Sequence, residues 1–172
     1  MTGRDLSLPF NFIIIQNQNK TTMENFPETN WLAIVIAALI PMIVGFIYYH
    51  PKIFGKAWMN SLGITEADLK VGNMALIYGM CLLMSFILSF YLLQNVDGPG
   101  QEGQYDSFKH GAAHGAFLTF FLVMPIMVTN GLFERKSFKN LGINLLYWLI
   151  TLALMGGIID HMNHWPADMQ PY

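Results

Sequence analysis

The sequence predicts an all-α membrane protein: a four-transmembrane-helix bundle with a short interfacial helix in its first cytoplasmic loop. Three observations predict it. Four uncharged apolar stretches, Trp31–Tyr49, Met74–Leu93, Gly111–Asn130 and Leu141–Ile159, fill most of the 172 residues. Each has about twenty residues, the length a helix needs to cross a ~30 Å hydrocarbon core. Charged residues make up only 12% of the chain, against roughly a quarter in soluble domains. The runs are also apolar all round, which requires lipid or complete burial.

The expected domain covers residues 30–160, with helices at about 31–49, 66–94, 110–130 and 140–159. An N-terminal tail (1–29) and a C-terminal tail (161–172) flank it. In the first tail, Phe10–Ile15 is too short for a signal-peptide core and has no basic flank. Met23 is therefore read as the natural start, with residues 1–22 a disordered tail or an over-extended reading frame.

In the first span, Trp31 at one end and Tyr48 and Tyr49 at the other are placed as interfacial anchors. Pro51 then turns the chain. Phe54, Ala57, Trp58 and Met59 suit a short helix lying at headgroup depth and ending near Gly63. Thr65 and Asp68 have capping-box spacing, so the second span is expected to begin in water near Glu66. Loop 94–110, with Gly98, Pro99, Gly100 and Gly103, reads as a flexible turn.

Small residues recur every four positions: Ala33, Ala37, Pro41 and Gly45, then Ala75 and Gly79, Gly111 and Gly115, Ala153 and Gly157. Such rows let helices approach closely in lipid. Pro41 and Pro125 are each expected to kink their helix and free a carbonyl. Segments Phe54–Ile64 and Phe133–Ile143 match at five of eleven positions, counting Lys56 with Arg135. That permits a duplicated hairpin, and chance explains it equally well.

Loops 51–73 and 131–140 carry six Lys and Arg, against three on the other side. The positive-inside rule then puts both termini outside the cytoplasm of a multi-pass cell-membrane protein. A net charge of -2 with no basic patch excludes a nucleic-acid partner. The lone Cys81 cannot form an internal disulfide and is read as a buried, inert thiol. The Met and Phe residues are scattered over all four stretches, as packing requires.

One run is more specific. Gly45 to Met59, with Tyr48-Tyr49-His50-Pro51 and Phe54-Gly55-Lys56-Ala57-Trp58 at its centre, resembles the signature of a family of bacterial membrane proteins, domain of unknown function seventeen sixty-one. Gly111 to Gly115 and Asn130 to Ser137, leading to Ile143-Asn144, resemble it too. The similarity covers roughly Asn30 to Ile159. It implies a four-helix integral membrane protein of a bacterial inner membrane and no assigned activity. The front extension and the His-containing tail depart from the pattern.

Two polar clusters are candidates for chemistry. The outer one has His110 and His114 one turn apart, preceded by Asp106 and Lys109, with Asp160, His161 and His164 from the C-terminal side. Histidines at this spacing can ligate a divalent metal, so His110, His114, His161 and His164 are the candidate metal ligands. The structural alternative is hydrogen bonding at the headgroup interface. The inner cluster is His50, Asn73, Asn130, Glu134, Arg135 and Asn144, a candidate pocket for an anionic headgroup or small solute with Arg135 as the anion-binding group. Its structural alternative is an Asn130–Asn144 bond between spans and a Glu134–Arg135 hairpin.

No residue set amounts to a catalytic constellation, and no cofactor beyond that divalent metal is implied. No Asp, Glu, Lys or Arg lies mid-span, where pumps and proton-coupled transporters usually need one. The leading expectation is a non-enzymatic interaction or accessory subunit in the lipid bilayer, homo-oligomeric or bound to another membrane protein. The alternatives are an oligomeric small-solute or ion transporter or channel, and a membrane enzyme or metal-binding protein using the outer histidines.

Overall fold

A computed structural model of the chain describes residues 29–96 and 107–163. The readings of residues 1–28, of Asp106 and the rest of the 97–106 turn, and of His164 fall outside them. Four helices are long and apolar enough to cross a membrane: Trp31–Tyr48, Met74–Val96, Phe108–Phe133 and Phe138–Met162. They are called the first to fourth spans. A short helix, Lys56–Leu62, follows the first and ends at Gly63, whose φ of 70° is the left-handed C-cap that glycine takes without a Cβ penalty.

The fourth span is the hub. It packs against each of the other three, whereas the second and third barely touch. Ile34, Ala37 and Ile40, Leu92, Leu93 and Val96, and Leu152, Met155 and Ile159 form the core from the first, second and fourth spans. The third is held almost wholly by the fourth.

That contact is made by glycine. A Cβ on Gly111 would lie 2.1 Å from the Gly156 carbonyl oxygen, and one on Gly115 only 2.0 Å from that of Leu152. Gly156 returns the contact, 2.2 Å from the Gly111 oxygen. The glycines of the third span therefore meet the Leu152–Gly156 row. Gly157, expected in that role, packs instead against the Phe108 ring. The row on the second span is not used this way: nothing lies within 4 Å of a Cβ on Gly79.

The second span starts later than expected, at Met74. Asp68 does accept from the Thr65 amide (2.8 Å) and hydroxyl (2.7 Å). These bonds hold its carboxyl below the usual carboxylate range. They close only a single turn, Asp68–Lys70, because Gly72 at φ 123° breaks the helix before Asn73 caps a new one. Cys81 is exposed on this span rather than buried, since the face toward the core belongs to Ser85, Ser89, Leu92 and Leu93.

The prolines behave differently from each other. The first span runs through Pro41 as one helix, and the Tyr147 hydroxyl donates to the Pro41 oxygen (2.8 Å). Ahead of Pro125 the third span widens into a π turn, Thr119–Val123. That turn takes up the lost amide at Pro125 by moving to i→i+5 bonding. The duplicated-hairpin reading fails locally: Gly63 ends a helix, while its counterpart Gly142 lies inside the fourth span.

Gly111→Ala is expected to lower unfolding stability in detergent by about 1–3 kcal/mol, the usual cost of overpacking. Gly142→Ala, with open space around its Cβ, is expected to be neutral or to stabilise by about 0.5–1 kcal/mol. Equal effects of the two in denaturant titration would show that the close approach does not depend on glycine.

Candidate functional site

At the end of the bundle where the first span begins and the fourth finishes, the chain is stapled. Asn30 caps the first span through the Ala33 amide (3.2 Å). It also donates to the Met162 oxygen (2.9 Å) from its side chain and to Asn163 Oδ1 (2.9 Å) from its backbone. Beside this staple, Ser107 caps the third span, its hydroxyl accepting from the His110 amide (3.3 Å).

His110 and His114 lie one turn apart next to Gly111 and Gly115. The glycine contact brings them to Asp160, one turn beyond Gly156. His110 Nδ1 is 3.0 Å from Asp160 Oδ2. Its Nε2 faces His114 Nε2 at 3.1 Å, with the ring centres 4.5 Å apart. The Ser107 amide also donates to Asp160 Oδ2 (3.4 Å). Asp160 is 1% exposed, and its Oδ1 has no hydrogen-bond partner among the described residues. The histidines are half-buried, so the group is open to the surface at this end of the bundle.

The four candidate metal ligands are thus divided. The structure joins His110 to His114, while His161 sits exposed in the last turn of the fourth span. Among the described residues no three His, Cys, Asp or Glu side chains converge as a metal-binding group.

The inner candidates are dispersed, and no side-chain hydrogen bond or ion pair joins any two of the six. His50 Nδ1 accepts from the Lys52 amide (3.2 Å), and Asn73 caps the second span through the Leu76 amide (3.1 Å). Asn130 is exposed. Glu134 pairs with Lys136 rather than Arg135. Arg135 sits at φ 57°, the left-handed position of a Schellman turn in which the Lys136 amide reaches Gly131 and the Arg135 amide reaches Leu132.

Asn144 bonds residues other than Asn130. It accepts from the Tyr49 hydroxyl (2.7 Å) and donates to Asn140 Oδ1 (3.0 Å). Asn140 donates to Ser61 Oγ (2.9 Å), which donates to the Trp58 oxygen (2.6 Å). This polar chain clamps the short helix to the first and fourth spans. Burial, then Tyr147 and Tyr48 nearby, push the Tyr49 hydroxyl above its ordinary value, so it stays a donor.

Around the chain the aromatic residues close inward. Tyr48 stacks on Phe54 (4.5 Å), Tyr49 meets Trp58 and Tyr147 (5.2 Å each), and Tyr48 is 5% exposed. The tyrosines are packing residues at a three-way junction, not interfacial anchors. A Cβ on Gly55 would strike the Tyr49 oxygen at 2.2 Å, so the turn that carries this junction requires glycine.

The sequence reading missed Asn140 and Ser107. Signals for both were present: Ser107 stands at the N-cap of an apolar run, and Asn140 lies four residues before Asn144.

Residues 32–159 match the model of the family described as "Protein of unknown function (DUF1761)". The chain belongs to this family. No curated protein and no solved structure matches it. The DUF1761 match takes in both histidines, the polar chain and the aromatic junction, and ends one residue before Asp160.

Asn140→Ala removes the bonds of a fully buried side chain to part-buried Ser61 and Asn144 and is expected to cost about 1–3 kcal/mol, read as a lower melting temperature in detergent. Asn130→Ala should leave melting unchanged. Arg135→Gly is expected to raise stability by about 1–2 kcal/mol by removing the left-handed penalty. A decrease instead would show that the Arg135 side chain holds something in place.

Proposed function

We propose that this DUF1761 protein is a non-enzymatic membrane component that works by lateral association of transmembrane helices, with a second copy of itself as the first partner. The observation that supports this most is the contrast between its glycines. Gly111 and Gly115 of the third span and Gly156 of the fourth are filled to the limit by the facing backbone. Gly79, on the second span, has nothing within 4 Å of its missing Cβ.

Gly79 opens into an apolar groove of about 400 Å³ lined by Val35, Ala38, Leu39, Leu82, Leu83 and Phe86. Ala75, one turn before Gly79, is exposed as well. Small residues one turn apart beside an apolar groove are what an incoming helix needs to bring its backbone close, where lipid gives no hydrophobic drive. The same surface on two copies is self-complementary, which suits a two-fold pair. An active transporter has less support, because no charged side chain lies mid-span.

Gly79→Leu fills the notch, starting from a Cβ position with nothing within 4 Å. The variant is expected to keep its helix content and melting temperature and to lose association by at least tenfold, a change of ~1.4 kcal/mol. Energy transfer between labelled copies in vesicles, with native mass spectrometry in mild detergent, reads this. Wild-type protein that remains monomeric and partnerless in both would sink the proposal.

A further inference from the structure

We infer that His110 and His114, backed by Asp160, form a two-histidine site for a divalent transition-metal ion at the end of the bundle where the first span begins and the fourth finishes. This inference is independent of lateral association.

The first support is geometric. Two imidazole nitrogens on one tetrahedral ion, each at 2.0–2.1 Å, lie about 3.3 Å apart. His110 Nε2 and His114 Nε2 are 3.1 Å apart. An ion bound to both requires the two rings to turn until their Nε2 lone pairs converge on a point off the line between the nitrogens, a motion open to side chains at i, i+4.

The second support is the carboxylate. Asp160 Oδ2 lies 3.0 Å from His110 Nδ1. It orients the His110 ring so that Nε2 is turned toward His114. Carboxylate behind histidine behind metal is the usual arrangement of metal-ligating imidazoles; it orients the ring and raises its basicity.

The third support is independent of the histidines. Asp160 is 1% exposed, and its Oδ1 has no hydrogen-bond partner among the described residues. Although Oδ2 is bonded, a buried carboxylate oxygen without a hydrogen bond is costly. Positive charge relayed through His110 from a bound cation offsets that cost.

The ligand class follows from the donors. Two neutral imidazoles select zinc, copper, nickel or cobalt over magnesium and calcium, which take oxygen ligands. Two protein ligands leave the other positions to water, so the ion is exchangeable rather than locked into the fold. The competing arrangement is a proton in the same place: His114 Nε2–H donating to His110, and His110 Nδ1–H to Asp160, with no ion bound.

The test uses the full chain, purified in detergent without a histidine tag and stripped with chelator. Zinc is followed by calorimetry and cobalt by visible absorption. The wild type is expected to bind a single ion. His110→Gln and His114→Gln keep hydrogen-bonding side chains of similar reach, and each should weaken binding by 100-fold or more. Asp160→Asn should weaken it about 10–100-fold, as loss of an outer carboxylate does. Circular dichroism and melting of each variant show whether the fold persists. Zinc and cobalt binding by the wild type no tighter than by the Gln variants would overturn the inference in favour of the proton-bridged pair. Unchanged affinity in Asp160→Asn would overturn the role given to the carboxylate.

Discussion

The backbone contact between the third and fourth spans is the constraint on which the rest of the structure depends. Gly111, Gly115 and Gly156 let two helices meet with carbonyl oxygens where side chains would normally stand. In lipid, apolar side chains gain little by leaving one hydrocarbon environment for another, so close packing and polar bonds must hold helices together. The third span has almost no other neighbour. Its position and the meeting of His110 with Asp160 follow from those three glycines.

The opposite end of the bundle is held by different means. There the Tyr49–Asn144–Asn140–Ser61 chain and the ring cluster of Tyr48, Tyr49, Phe54, Trp58 and Tyr147 lock the short helix against the first and fourth spans. Asn140 is fully buried, and its side-chain amide and carbonyl are both bonded. A satisfied polar group of this kind fixes register, because any slip would strand several bonds at once.

The residues first grouped as an inner pocket show how backbone demand competes with function. His50 and Asn73 each satisfy a free amide at a helix start, and Arg135 takes the left-handed place in a helix-ending turn. Every helix leaves four amides and four carbonyls without internal partners. Near a membrane, polar side chains at span ends are recruited to those groups first. Polar residues placed at the same end of a bundle therefore need not bond to one another, and no side-chain hydrogen bond or ion pair joins these six.

The sequence by itself determined the four spans, the short helix ending at Gly63, the family and the proximity of His110 to His114. Each depends on local pattern: length and hydropathy for the spans, a glycine for the cap, i, i+4 spacing for the histidines. It did not determine which small-residue row meets which. Gly156 meets the backbone of the third span while Gly157 meets only its Phe108 ring, and Gly79 has no described atom within 4 Å of its missing Cβ. Nor did it show that Tyr48 turns inward, that Asn144 bonds Tyr49 rather than Asn130, or that the second span waits until Met74. Those outcomes depend on the rotation of each helix about its axis and on partners about 95 residues away in the chain. An all-round apolar helix carries almost no amphipathic signal to set that rotation, so only packing of the whole bundle decided it.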